Sequence, residues 1–476
     1  MKRYYFTNLF FALILSACSS TQGPQSQSTP AIQKNTSDSP GFKLRDYKVE
    51  QWPNGLEVIT IEDRTLPSIG FGLLLKDGST SDPMAKTGAM NLMTQAMGRG
   101  TTKLSAAQIA DGLGQLGSEL EQSVGEDYSW FQVSGLSLHQ VHLWEIFSDV
   151  LLNPSFNEQE ILREKKKILA GINRRVDHPD RFASEAFESY LFGGHPYGRP
   201  ISGLERDVNS ITRKDIIKLY MKRFRPNNAV LVITGDLNSE MLVRIKSSLT
   251  PWTQKPLESK NYTSPPEING VNIRLIDKPD LTQTQIILGH MGVKRTVEDY
   301  LQLRVATTVL GGNFSSRLMD RIRVQLGLTY GISSSFDARL DRGPFFISTF
   351  TKNESTALTI NETLKVFNEY YSSGVTKDEV EAAKNYMMGS FPRSIETSER
   401  LGFNLAILRL YGLPDDYLRN FVSNVENISA SDVNASIKKH LNPKDLKILV
   451  LSKSTDVIEQ VRPIGLLEVK KYQEIF

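Results

Sequence analysis

Gly311–Ser334 reads GGNFSSRLMDRIRVQLGLTYGISS, and its hydrophobic period changes partway along. Leu318, Ile322 and Leu326 recur at helical spacing with charges between them. That predicts an amphipathic helix opened by the Gly311-Gly312 turn and capped by Ser315 or Ser316. Gly327 ends the helix in this reading. From Leu328 to Ser335 the residues alternate as a strand buried on one face does. A tight glycine turn between the two would bring Arg323, in the last turns of the helix, near Tyr330, seven residues on. A guanidinium and a phenol converging on one spot offer several hydrogen-bond donors to a carbonyl that develops negative charge. The spacing also admits a plainer reading, in which Arg323 covers a helix C-terminus and Tyr330 fills a strand.

Outward from this stretch, the chain repeats itself. Val208-Asn-Ser-Ile-Thr-Arg-Lys-Asp215 compares with Val425-Glu-Asn-Ile-Ser-Ala-Ser-Asp432, and the apolar run Val230–Thr234 with Ile448–Ser452, at offsets of 217 and 218. Glu160-Ile161 and Lys165 find a fainter echo in Glu379-Val380 and Lys384. A nearly constant offset across three elements is what internal duplication predicts. In the first half, strands are expected at Leu56–Ile61, Ile69–Leu75, Tyr128–Gly135 and Asn228–Gly235. Helices are expected at Ala85–Met97, Ala106–Leu116 and Glu158–Arg175, with another begun by a Thr212/Asp215 capping box. Pro251 to about Gly270 is polar, proline-bearing and aperiodic, which reads as a linker. The expected fold class is α+β, with two homologous α/β domains, 42–250 and 271–476, joined by the linker 251–270. Each would be a mixed β-sheet with helices packed on one side.

The composition of the 476 residues is that of an ordinary α/β protein. Lys and Arg number 56 against 53 Asp and Glu, and Lys2 and Arg3 belong to the N-terminal segment, so no basic arm argues for nucleic acid. That segment, residues 1–17, has a basic start, an apolar stretch from Phe6 to Leu15, and Leu15-Ser16-Ala17 before Cys18, the only cysteine in the chain. It reads as a bacterial lipoprotein signal. Cleavage before Cys18 and lipidation of its sulfur would tether the protein to a bilayer, acyl chains contributing about 0.8 kcal/mol per buried methylene. Ser19 stands where an inner-membrane retention signal usually has Asp, so the periplasmic face of a Gram-negative outer membrane is expected. Residues 18–41 are rich in Ser, Thr, Gln and Pro and read as a flexible tether.

Several motifs in order give the chain a family likeness. Trp52-Pro-Asn-Gly-Leu56, His195-Pro-Tyr-Gly-Arg-Pro200, Arg225-Pro-Asn-Asn-Ala-Val-Leu231 and the Gly311–Ser334 stretch resemble the short, two-domain members of the insulinase-like (pitrilysin) metallopeptidases. The resemblance implies that Arg323 and Tyr330, with Ser316-Arg317-Leu318 before them, match the arginine–tyrosine pair that holds the substrate backbone in that family. It also implies that two such chains face each other around a chamber.

Family members that cleave peptides carry H-x-x-E-H on a helix of the first half. Its two histidines bind zinc, the glutamate between them activates the metal-bound water, and a later glutamate completes the ligand set. Thr87-Gly88 and Arg99-Gly100-Thr101 fix the alignment here. The first histidine has become Asn91, the glutamate Thr94 and the second histidine Gln95. The third ligand falls at Gly171, while its upstream companion, Glu164, is present. Amides are weak zinc ligands beside imidazole, threonine is no base near neutral pH, and glycine has no side chain. No H-x-x-x-H occurs in the chain. His139 and His142, on an expected helix, are spaced to share a metal but lack a supporting carboxylate, and His195 sits in a loop that the family uses structurally.

The resemblance therefore implies no catalytic residue and no cofactor in this chain, with zinc only on a homologous catalytic partner subunit. Arg323 and Tyr330 would be supplied to that partner in trans. A peptide substrate would lie as an added strand along Gln122–Tyr128 of this chain or the partner's equivalent. The alternative reading is a peptide-binding or scaffolding pseudo-peptidase of the cell envelope with no hydrolytic partner.

Overall fold

The structure, a computed structural model, describes residues 44–258, 260 and 262–476. The expected signal segment 1–17, Cys18 and the tether 18–41 lie outside the described residues. The described residues pack as one compact unit.

Period-two and continuous apolar runs in the first half fold as strands β1 (Lys48–Gln51), β2 (Glu57–Glu62), β3 (Ser68–Leu75), β4 (Glu121–Val124), β5 (Ser129–Leu136) and β6 (Ala229–Gly235). They form one sheet in the order β1-β2-β6-β3-β5-β4, with β2 and β6 parallel and every other pair antiparallel. The second half gives β7 (Val271–Asp277), β8 (Gln283–Met291), β9 (Ile332–Phe336), β10 (Pro344–Lys352), β11 (Leu446–Ser452) and β12 (Leu466–Lys471). Their order is β12-β7-β11-β8-β10-β9. The two sheets share one topology except at the outermost strand, where β12 runs parallel to β7 but β1 antiparallel to β2.

Helices of the first half are α1 (Ala89–Met97), α2 (Ala106–Gln115), α3 (Gln140–Leu152), α4 (Glu158–Arg174), α5 (Pro179–Phe192), α6 (Glu205–Ser210), α7 (Arg213–Arg223) and α8 (Ser239–Leu249). Those of the second are α9 (Tyr300–Thr307), α10 (Thr356–Ser373), α11 (Lys377–Ser394), α12 (Ser398–Tyr411), α13 (Phe421–Glu426), α14 (Ala430–His440) and α15 (Ser454–Val461). The duplication survives at the level of single bonds. Thr212/Asp215 and Ser429/Asp432 both form capping boxes. Lys165 Nζ donates to the Ile211 carbonyl at 2.9 Å, and Lys384 Nζ donates to that of Ile428, the matching residue, at 3.2 Å.

Each sheet carries its own half's helices on one face and one helix of the other half on the opposite face. Phe71, Leu73, Phe131, Leu231 and Ile233 point into a core with α1, α2, α3, α7 and α8. The alternate residues Ile59, Ile61, Val230 and Val232 meet Leu401, Leu405 and Ala406 of α12. Conversely, Phe182, Ala183 and Ala186 of α5 cover Ile276, Ile287, Leu449 and Leu451 of the second sheet. This is why β6 is buried along its whole length although strands alternate faces. At Gly402 a Cβ would stand 2.4 Å from Val232 Cγ1, so only glycine lets α12 approach this closely.

Three local expectations need correction. The helix expected from Ala85 starts at Ala89, because Ala85 (φ 57°) and Gly88 (φ 95°) turn the chain and the Asp82 carboxylate accepts from Gly88 N and Met90 N, both at 2.7 Å. The helix before Gly327 is wound as a π-helix over Met319–Gln325, and its start is capped by neither serine. Instead Asn313 Oδ1 accepts from Ser315 N at 3.0 Å. Gly327, with φ 61°, does end it. The strand expected from Leu328 begins at Ile332, because the Leu328 and Gly331 carbonyls take the hydroxyls of Thr351 (2.7 Å) and Thr349 (2.9 Å) instead of ladder bonds.

Candidate functional site

α1 presents the positions where the resemblance puts zinc chemistry. Asn91 and Gln95 face a cleft of about 430 Å³ whose far wall includes Ser123 and Val124 of β4, the free edge of the first sheet. Thr94 points inward, fully buried, its hydroxyl without a partner. Gln95 Nε2 donates to the Gln122 carbonyl at 3.5 Å, and the Gln122 amide donates back to the Thr94 carbonyl, tying α1 to the edge strand. On α4, Gly171 offers no side chain, and the space its Cβ would fill is open. Glu164, the one carboxylate retained, is 4% exposed and already held by Arg99 and Lys167, both at 2.8 Å. Two amides, a buried hydroxyl, an open glycine and an ion-paired carboxylate do not make a zinc site. Among the described residues no group of three or more His, Cys, Asp or Glu converges as metal ligands. His139 ends a short 3-10 turn and His142 lies on α3, where it lines a separate surface pocket.

Arg323 and Tyr330 have a different setting. The arginines beside Arg323 are spent: Arg317 holds Glu379 through two bonds of 2.6 and 2.8 Å, and Arg321 holds Glu362 at 2.8 Å. Arg323 only rests on the exposed Phe314 ring, 4.7 Å from its centroid, and Tyr330 is 80% exposed. Among the described residues neither the Arg323 guanidinium nor the Tyr330 hydroxyl has a hydrogen bond or ion pair, and none joins the two side chains. Arg323 lies in the last turn of the π-helix, as the plainer reading also expects, whereas Tyr330 precedes β9 instead of filling it. The backbone couples the two ends of the turn, since Leu328 N bonds the Ile322 carbonyl at 3.0 Å. The strand that follows Tyr330, β9, borders a second cleft of about 470 Å³. Arg181 and Ser184 of α5 line both clefts.

The wall of the first cleft contains a charge network that sequence reading missed. Arg339, 4% exposed, reaches across from the second half to Glu188 (2.5 Å) and Glu126 (3.3 Å) of the first, and also binds Asp337 (2.6 Å). Loss of hydration pushes the Glu188 carboxyl up to about 7, against the pull of Arg339. Beside it the Tyr197 hydroxyl donates to Asp127 at 2.9 Å, and Asp127 also accepts from Leu340 N at 2.9 Å. Burial raises the Asp127 carboxyl above its ordinary range. His195 accepts from Tyr197 N at 3.1 Å, which explains the motif around it as the brace of a loop. Tyr197 was visible in that motif, but its partner Asp127 lies 70 residues away and nothing local announces it.

Comparison with known proteins agrees with this geometry. The profile described as insulinase (peptidase family M16) matches residues 57–204, and the one described as peptidase M16 inactive domain matches residues 210–387. The chain belongs to the M16 peptidase family. An uncharacterized zinc protease of Rickettsia bellii is 28% identical over 397 residues, covering 82% of this chain and 93% of the relative. A protein of Helicobacter pylori named non-peptidase homolog YmxG is 27% identical over 402 residues, covering 83% and 91%. Among solved structures, a peptidase M16 inactive domain from Pseudomonas fluorescens superposes with TM-score 0.79 at 27% identity, over 85% of this chain and 98% of that one. A protease from Helicobacter pylori, at 19% identity and TM-score 0.77 over 86% of this chain and all of its own, shares the fold. Within the M16 family, the inactive-domain profile and the non-peptidase homolog support an inactive member.

Proposed function

We propose that this M16 chain is the non-catalytic subunit of a heterodimeric zinc peptidase, presenting Arg323 and Tyr330 to a peptide held at the zinc site of a homologous partner. The observation that carries the reading is the contrast within one stretch. Arg317 and Arg321 are consumed by Glu379 and Glu362, whereas Tyr330 is exposed and the half-buried Arg323 guanidinium has no hydrogen bond or ion pair among the described residues. A donor pair facing solvent gains nothing for the fold, but it can meet the carbonyl oxygen of a peptide strand and stabilise charge developing there. The partner would hold the zinc, whose Lewis acidity would supply the polarisation of carbonyl and water. The free edge at β4 is available to add a peptide strand through backbone bonds. The assembly would be lipid-anchored through Cys18 on the periplasmic side of the outer membrane.

The test is reconstitution with a co-purifying M16 chain that retains H-x-x-E-H. Tyr330→Phe and Arg323→Ala should each lower kcat of the complex about a hundredfold or more, with the mass of the complex unchanged. Unaltered turnover in both variants would refute the role. The name non-peptidase homolog borne by the Helicobacter relative favours a second reading, a peptide-holding pseudo-peptidase without hydrolytic partner. In that case the isolated chain binds extended peptides, and no M16 chain with intact zinc ligands co-purifies.

A further inference from the structure

Three large apolar side chains stand exposed together at one end of the first sheet. Leu66, in the β2–β3 loop, is 66% exposed, and Leu136 and Leu138, at the end of β5, are 48% and 73% exposed. The two loops touch. Ser68 pairs with Leu136 across the sheet, and Ser137 N bonds the Pro67 carbonyl at 2.9 Å. Exposed leucines scattered singly need no explanation, but three on adjoining loop tips do.

The first described residues lie at the same end of the sheet. Leu44, the first described residue, is 4% exposed, and Arg45 is fixed by Asp63 at 3.0 Å, three residues before Leu66. Asp63 in turn accepts from Ser398 at 2.8 Å, so this start is clamped to both halves. Two carboxylates nearby are matched by cations, Asp63 by Arg45 and Asp236 by Arg64 at 3.8 Å, and the Arg64 side chain remains 69% exposed. Apolar tips beside an outward arginine suit the boundary between acyl chains and lipid phosphates. Among the described residues no helix is long and apolar enough to cross a membrane, so the contact would be a surface one.

We propose that Leu66, Leu136 and Leu138 form a membrane-contact site that seats the folded body on a phospholipid surface, with Arg64 at headgroup level. The position of Leu44 carries the choice of occupant. The upstream residues that read as a lipoprotein signal and a tether of 24 residues (18–41) join the body beside these leucines. The reading of 18–41 as a flexible tether implies a span of about 25–30 Å, which would keep this end closest to any bilayer that holds Cys18. Seating at a second point would fix the orientation of the clefts relative to the membrane, which a coil alone leaves free.

The test uses the full chain with Cys18→Ser, so that binding cannot come from a lipid. Flotation with vesicles of phosphatidylethanolamine and phosphatidylglycerol should retain part of this protein. The triple change Leu66→Gln, Leu136→Gln, Leu138→Gln should lower its partition coefficient about tenfold, and Val243→Gln, an equally exposed control on α8, should leave it unchanged. Because Cys18 is the only native cysteine, Leu138→Cys in the same background takes a single nitrobenzoxadiazole probe. Its emission should shift to the blue on adding vesicles and be quenched by nitroxide lipids, whereas a probe at Val243→Cys should show neither. Failure of the parent to float, equal flotation of the triple variant, or equal responses at positions 138 and 243 would each overturn the proposal. The probe arm decides even if the triple variant misfolds.

Discussion

Arg339→Met is the perturbation that most directly tests how the halves are held together. The methionine keeps the length of the side chain and removes the one cation that Glu126, Glu188 and Asp337 share. Asp337 is 46% exposed and can turn to water, so the cost falls on Glu126 and Glu188, whose side chains are 25% and 28% exposed. Removing one member of a buried ionic group costs about 3–5 kcal/mol, and partial access to solvent places this site at the lower end, ~3 kcal/mol. The loss should depend on pH with a definite sign. The Glu188 carboxyl already stands at about 7 in the presence of Arg339. Without the guanidinium it rises further, so the folded variant binds a proton that the unfolded chain does not hold until well below neutrality. A raised carboxyl gives stability at low pH that is lost as pH rises. The deficit should therefore be near its full size at pH 8 and clearly smaller at pH 5.5. Urea unfolding followed by the fluorescence of the four tryptophans at both pH values measures this. Adding Glu188→Gln to Arg339→Met should restore part of the loss, because the two changes share a partner. A deficit under about 1 kcal/mol, or one identical at both pH values, would refute the reasoning.

Other expectations are briefer. Burial lowers His290 to about 4, its Nε2 accepting from Asn442 N and its Nδ1 donating to the Met291 carbonyl, whereas the unfolded chain protonates it near 6.5. It should therefore cost stability as pH falls from 6.5 towards 4, and His290→Gln should flatten that limb of the urea midpoint against pH. Asp63, lowered to about 2 mainly by the hydroxyls of Thr65 and Ser398, contributes stability above its ordinary value that is lost as pH falls from about 4 to 2. Asp63→Asn should remove that part of the acid slope in the same assay. Gly402→Ala sets a methyl group against Val232 and should cost about 1–3 kcal/mol, read by thermal unfolding. Equilibration with zinc followed by dialysis should leave well under one metal per chain by elemental analysis, and stoichiometric zinc would contradict the account of α1 and α4.

The parts of the fold that were legible in the sequence are those written in local chemistry. The capping box at Thr212, the glycine stop at Gly327 and the largely apolar β6 and β11 each carry their own signal. So did the duplication, because both copies keep these signals at one offset. The winding around Arg323 was not legible. Leu318, Ile322 and Leu326 satisfy a π-helix as well as an α-helix, and the choice is made by tertiary contacts such as Leu328 N to the Ile322 carbonyl. The late start of β9 was hidden for a related reason, since threonines of a strand still to come take its first carbonyls. At the candidate site, Asn91, Thr94, Gln95 and Gly171 are positions that the family resemblance named from the sequence. The ion pairs that occupy Glu164 and join Arg339 to Glu188 could not, because their members are far apart in sequence and ordinary in isolation.

The exchange of α5 and α12 between the sheets makes the chain a closed pair of mutual lids. A protease cut within 251–270 should leave two polypeptides that migrate as one species, each still roofing the other. Expressed separately, either piece would display a bare β-sheet face, so the two can be inherited, engineered or exchanged only as a set.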